Sequence, residues 1–285
     1  MKAFDRKFGA DFISALPTTP GVYFIHSGDG QLIYIGKAKN LRRRLSQYRN
    51  AKRRKKHAKM KSIIADAARI EFQLCESDLA ASLLETELIQ KHRPRWNVEG
   101  AFFFLYPMLG VRRQNEITSF CYTTEPNRFP EFQFHGAYRS RFLTREAFFA
   151  LIELLSFVGH RMPKRKRPTG PALPKFSYLY EFRRIEADWL EKWSRLLAGE
   201  SIEAAEALVL ALVENAGARR SPGKIQEHLN SIRRFWRHEA LPLRRAIEAT
   251  NCTEFPVPQT SRDSLFIKSR WQRKLTVNER MAASR

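Results

Sequence analysis

The stretch "QLIYIGKAKNLRRRLSQY" (31–48) joins an apolar run to a basic one through the pair Gly36-Lys37. Between a strand and a helix, Gly-Lys is where a phosphate loop wraps backbone N–H groups around a nucleotide and sets a hydroxyl on magnesium. That pattern needs GxxxxGK[ST]; here one glycine precedes Lys37, and Ala38 replaces the hydroxyl. A nucleotide cradle is excluded. The flanks carry a different chemistry. Tyr23 and Tyr34 lie in apolar runs, while Arg44 and Tyr48 are four apart, beside the stripe of Leu41 and Leu45. A guanidinium at the rim of a buried face can be held by packing and aimed at one phosphate, whereas Arg42 and Arg43 project outward. Glu85 has Ala81, Leu88 and Ile89 as its helical neighbours. A carboxylate in such company is costly unless a cation sits against it. A hard divalent metal is one such cation, held by one carboxylate together with waters and phosphate oxygens. Glu87, with Lys91 at i+4, reads as an ordinary solvated pair.

Positioning these residues requires a small α/β unit. "LPTTPGVYFIH" is a Pro-Gly turn followed by a short apolar strand, "SGDG" is a turn and "QLIYIG" a second strand, which predicts an antiparallel hairpin. Asn40 caps a helix with Leu41, Leu45 and Tyr48 on one face, a basic stretch follows, and "IEFQLCE" alternates as a third strand. Ser77 caps "DLAASLLETELIQKH", which Pro94 stops. The order β-β-α-α-β-α predicts a mixed or antiparallel sheet over 14–100. Residues 101–160 form an aromatic-rich extension with two strands and a helix near 144–158. Residues 161–175, with Lys164–Arg167, read as a basic linker, 176–250 as a helical region and 251–285 as a basic irregular tail. The helical region contains a Ser201-capped segment ending at Gly217 and a second beginning at Ser221-Pro222.

The charge balance names the partner. Among 285 residues, 51 Lys+Arg oppose 29 Asp+Glu, for a net charge of +22. Such a chain meets a polyanion, and nucleic acid is the commonest. From Arg42 to Lys61 there are eleven Lys/Arg and no acid. Arg42, Arg43, Arg49, Lys52, Arg53, Arg54, Lys55 and Lys56 therefore predict a ridge along a DNA backbone, each phosphate contact adding about 0.9 to the salt slope of binding. Hydrophobic content of 43% and aromatic content of 12% describe a globular chain. No apolar run is long enough for a membrane span and no secretory leader is visible, so no membrane partner is expected. Cys75, Cys121 and Cys252 are far apart, which predicts reduced thiols in a cytoplasmic protein without a zinc site. His26, His57, His135 and His160 lack ligand spacing and read as structural or surface residues.

"GVY" (21–23) and "IYIG" (33–36) resemble the two motifs that name the GIY-YIG nuclease family. "LPTTPGVYFI", "IYIGKAKNLRRRLSQY" and "SLLETELIQKHRPRWNV" are similar, in order and spacing, to the nuclease segments of its excinuclease (UvrC) branch. The likeness covers about 17–98 and extends through "FHGAYRSRFLTREAFFALIELL" to about 158. The resemblance implies a metal-dependent DNA endonuclease with a small three-stranded sheet flanked by helices. It implies Tyr34 as general base, Glu85 as holder of one Mg²⁺ or Mn²⁺ ion, and Arg44 and Lys37 on the phosphate. Tyr23 and Tyr48 would line the site and share its proton network, and Asn97 would position the chain near the metal helix. The stretch matching the family's cysteine cluster has no cysteine, so no iron–sulfur cluster is expected. The chain is too short for a second nuclease domain, which predicts a single incision, as in the short Cho-type relatives. DNA and other repair proteins are the implied partners. A mobile-element or defence nuclease is the alternative enzyme reading, and a non-catalytic basic nucleic-acid-binding protein is the alternative outside catalysis.

Overall fold

A computed structural model describes residues 2–51, 57–97, 101–163 and 173–283. The chain forms two compact units, Met1–Phe103 with Val277–Arg285, and Phe104–Thr276. The first opens with two short helices, α1 (Ala3–Phe8) and α2 (Phe12–Ala15). The predicted order follows: β1 (Gly21–Ser27), β2 (Leu32–Ala38), α3 (Leu41–Arg49), α4 (Ala58–Asp66), β3 (Ala67–Leu74) and α5 (Asp78–His92). The sheet runs β2-β1-β3 with both pairings antiparallel, so β2 lies at an edge. Tyr23 faces Gly36 across the hairpin and Ile25 faces Tyr34, placing both tyrosines on one side of the sheet. On that side Tyr23, Ile25 and Ile70 pack against Leu41, Leu45 and Tyr48 of α3. The other side packs Val22 and Ile35 against Ala81 and Ile89 of α5.

Caps set these helices as the sequence predicts. The Asn40 side chain accepts from Arg43 N–H at 2.8 Å, and the Ser77 hydroxyl accepts from Ala80 N–H at 3.0 Å. Helix α5 ends at Arg93, whose left-handed backbone (φ 46°) turns the chain just before Pro94. The unit begins earlier than residue 14. Phe4 and Ile13 are buried in the same core as Tyr23, and Arg49 of α3 clasps Asp5 of α1 at 2.6 and 3.1 Å. Helices of six and four residues are too short for periodicity to reveal.

The second unit is a five-stranded antiparallel sheet of order β6-β4-β5-β8-β7. Its strands are β4 (Met108–Gln114), β5 (Ile117–Thr123), β6 (Gln133–His135), β7 (His160–Arg161) and β8 (Tyr178–Arg183). Helices α6 (Arg141–Val158), α7 (Asp188–Leu197), α8 (Glu203–Glu214), α9 (Ala216–Arg219), α10 (Pro222–Phe235) and α11 (Leu241–Thr250) accompany it, with a π-turn at Trp236–Ala240 between the last two. One core joins Val111, Phe120 and Phe182 of the sheet to Leu151, Leu155, Leu208 and Ile232 of the helices.

Three expectations are corrected here. Residues 161–175 do not divide two regions, because β5 and β7 both pair with β8 in one sheet. The stretch 176–250 opens with that strand before turning helical. The tail 251–285 holds a long helix, α12 (Arg262–Ala283), whose crowded charges hide any apolar period. Lys164–Arg167 lie outside the described residues.

Candidate active site

The expected site residues gather around the open edge of β2. An edge strand presents unpaired N–H and C=O groups, and here two side chains and one backbone N–H satisfy several of them. Glu85 Oε1 accepts from the Lys37 backbone N–H at 2.8 Å. Asn97 pairs with Ile35 in both directions, Oδ1 accepting from its N–H at 2.9 Å and Nδ2 donating to its carbonyl at 2.8 Å. Trp96 N–H donates to the Ile33 carbonyl at 3.1 Å, so 96–97 act as a short surrogate strand. Asp66 at the end of α4 accepts from Trp96 Nε1 at 3.1 Å and from Arg95 at 2.9 Å, which fixes that segment. Asn97 thus holds the strand carrying Tyr34 through both its amide oxygen and its amide nitrogen.

On the α3 side, a polar network crosses the apolar core. Tyr23 and Tyr48 hydroxyls lie 3.0 Å apart, and Arg44 Nε donates to Tyr23 Oη at 3.2 Å. Arg44 also donates to Gln47 Oε1 at 2.8 Å and lies 5.6 Å from the Tyr48 ring centroid, while its Nη2 makes no bond to any described residue. Tyr23 and Tyr48 are buried, and burial pushes both phenols well above the usual tyrosine range, opposed by the Arg44 charge. They keep their protons. Tyr34, by contrast, is half-buried at the strand edge, its ring 6.0 Å from that of Tyr23. Gly36 makes this arrangement possible, since a Cβ there would penetrate Tyr23 Cζ and Oη and lie 2.8 Å from Tyr34 Cε1.

Glu85 is half-buried, and burial raises its carboxyl above the usual range against the opposing pull of the Lys37 N–H and the charges of Lys37 and Arg44. No hydrogen bond reaches its Oε2 from a described residue. Lys37 differs from expectation. Its side chain turns to the α5 side, where Nζ meets Asp78 at 2.9 Å and the Ser82 hydroxyl at 2.7 Å. Tyr34 and Lys37 are three apart in one strand, so they face opposite sides. Asp78 and Ser82 were not anticipated, yet with Glu85 and Ile89 they form a 4-3-4 stripe along α5, which is the signal that could have found them. Lys59 was also missed; its Nζ lies 5.6 Å from the Tyr34 ring centroid.

Among the ridge residues, Arg42 and Arg43 are exposed, although Arg42 Nε also donates to the Leu16 carbonyl at 2.7 Å. Arg49 corrects the expectation: its bidentate pairing with Asp5 anchors α1 and occupies the guanidinium. Lys52, Arg53, Arg54, Lys55 and Lys56 lie outside the described residues.

Residues 19–98 match the family model described as the UvrC-like GIY-YIG domain. This segment is a GIY-YIG domain of the UvrC-like family. Over 120 residues the chain is 36% identical to the UvrABC system protein C of Hydrogenovibrio crunogenus, covering 42% of this chain and 19% of that protein. Over 180 residues it is 28% identical to the corresponding Geobacter metallireducens protein, covering 63% and 28%. The chain therefore spans less than a third of the length of these two relatives. It is also 35% identical to the crystallised GIY-YIG N-terminal endonuclease domain of Thermotoga maritima UvrC bound to its catalytic divalent cation, magnesium. That match covers 34% of this chain and 99% of the other, with a TM-score of 0.29. In the GIY-YIG domain described here, Tyr23 and Tyr34 occupy the motif strands β1 and β2, and Glu85 approaches from α5. No helix among the described residues is long and apolar enough to cross a membrane.

Proposed function

We propose that this chain is a metal-dependent DNA endonuclease that hydrolyses a phosphodiester bond, making a single UvrC-like incision in repair. One observation carries the reading: in a UvrC-like GIY-YIG domain, Tyr34 of β2 and Glu85 of α5 meet at one strand edge.

The donor set fits one hard divalent ion. Among the described residues no group of three or more His, Cys, Asp and Glu could cage a metal. Glu85 instead offers a single carboxylate with Oε2 uncommitted, as suits Mg²⁺, or Mn²⁺ in its place, which retains waters and uses substrate oxygens for its remaining ligands. When bound, such an ion neutralises charge on the scissile phosphate and its leaving oxygen.

The chain's own residues do the rest. Tyr34 Oη takes the proton of the attacking water; it is the only one of the three site tyrosines that is not buried. Arg44 is held through Nε by Tyr23, which leaves Nη2 to bind the phosphate and the charge developing on it. Tyr23 and Tyr48 stay protonated and fix Arg44. Lys37 contributes its backbone N–H to Glu85, and its ammonium, neutralised by Asp78, fastens β2 to α5. Arg42 and Arg43 supply cations for the DNA backbone. Other repair proteins are the partners, and the cytoplasm is the place of action.

The test is nicking of supercoiled plasmid and of a lesion-bearing duplex with Mg²⁺, Mn²⁺ or EDTA. Glu85→Ala abolishes nicking and leaves DNA binding in EDTA nearly intact, and Tyr34→Phe loses activity without unfolding. Undiminished cleavage by Glu85→Ala would refute the metal assignment.

A further inference from the structure

The second unit also carries strong positive charge, and one helix arranges part of it in a line. On α10 and the π-turn that continues it, Gln226, Asn230, Arg233 and Arg237 are all exposed and recur at spacings of four, three and four. That spacing is a single stripe along one helix face. Leu229, Ile232 and Phe235 of the same helix are buried in the unit's main core, with Phe235 opposite the stripe, so the stripe's orientation is fixed. Gln226 Nε2 donates to Asn230 Oδ1 at 2.9 Å, which orders the first two members. Arg233 and Arg237 have no carboxylate partner among the described residues, while the neighbouring Arg234 pairs with Glu146 at 3.8 Å. The stripe itself contains no acid. Exposed Arg219, Arg220 and Lys224 continue the positive charge at the N-terminal end of α10.

We propose that this stripe is a duplex-DNA contact belonging to the second unit, with Arg233 and Arg237 on successive phosphates. Every residue type in it bonds phosphate oxygens, and from Gln226 to Arg237 it spans about 16 Å at the helical rise. Charge complementarity selects the partner: an unpaired cationic line flanked by further cations suits a polyanion of regular charge spacing. The site deepens the endonuclease reading, because it would hold substrate through residues separate from the cleavage chemistry.

The experiment measures binding of the full chain to a short duplex in EDTA, by fluorescence anisotropy over a range of salt. Arg233→Ala/Arg237→Ala lowers the salt slope by about 1.8, since each lost phosphate contact removes about 0.9. Between 50 and 200 mM salt the parent would then lose about tenfold more affinity than the variant. Arg128→Ala/Arg245→Ala removes the same charge from exposed positions off the stripe and keeps the parental slope. Circular dichroism checks that both variants fold. An unchanged slope for the stripe variant, or equal drops in both, overturns the proposal. The result is independent of catalysis: if the parent chain nicks neither plasmid nor lesion-bearing duplex with Mg²⁺ or Mn²⁺, the endonuclease reading fails while the binding slopes stand.

Discussion

Gly36 offers the sharpest test of the site's construction. Its backbone is not left-handed, so alanine is conformationally allowed, and restricting the unfolded chain would by itself stabilise by about 0.4–1 kcal/mol. Steric exclusion opposes this. The added Cβ would penetrate Tyr23 Cζ and Oη and lie 2.8 Å from Tyr34 Cε1. Tyr23 cannot easily yield, because it is fully buried and tied to Tyr48 at 3.0 Å and Arg44 at 3.2 Å. Overpacking of such a site costs about 1–3 kcal/mol. Displacing the ring also breaks two hydrogen bonds, at about 1 kcal/mol each. Sterics win: Gly36→Ala should destabilise the GIY-YIG unit by about 2–5 kcal/mol once these opposing contributions are combined. The assay is a urea series read by hydrogen exchange in peptides from β1 and β2, which isolates this unit within the full chain. Nicking measured alongside should fall, because Arg44 loses its Tyr23 anchor. Tyr23→Leu in the Gly36→Ala background should recover at least about 1 kcal/mol, as neighbouring residues couple. A Gly36→Ala protein within about 0.5 kcal/mol of the parent, the range of an ordinary surface change, would refute the packing argument.

Three further outcomes follow from the same contacts. Because burial raises the Glu85 carboxyl, its folded form holds the proton more tightly than the unfolded chain does. Without metal, stability should therefore fall as pH rises from about 4.3 through the folded value, and Glu85→Gln should flatten that fall in thermal melts, together with any stabilisation by Mg²⁺. Asp66→Ala should release Trp96 and Arg95, cost about 1–2 kcal/mol and speed hydrogen exchange at Ile35, with nicking reduced at every metal concentration. His135 is buried with both ring nitrogens unpartnered among the described residues, and burial lowers its pKa to about 4. The unfolded chain binds the extra proton below about 6.5, so about 3 kcal/mol of the second unit's stability should be lost between pH 6.5 and 4. His135→Phe should remove that loss in urea titrations at pH 4.5 and 7.5.

The sequence determined what local rules control. Alternating apolar residues and the "SGDG" turn specified the hairpin, and Asn40 and Ser77 specified where α3 and α5 begin, because strand period and caps act over a few residues. Spacing also selected Arg44, Tyr48 and Glu85, whose partners on their own helices are already visible in the chain. Lys37 was partly legible: its three-residue offset from Tyr34 puts the two on opposite faces, but its partners Asp78 and Ser82 lie forty-one and forty-five residues on. Only tertiary structure decided the rest. Arg49 is drawn to Asp5 forty-four residues away, and Asn97 closes a strand edge sixty-two residues away. Burial separated Tyr23 from Tyr34, although both look alike in apolar runs. Sheet pairing likewise joined β5 and β7 to β8 and removed the boundary expected at 161–175. The physical reason is the same in each case: a side chain's hydrogen-bond partner and its dielectric surroundings are set by whichever distant segment packs against it, and no local period records that choice.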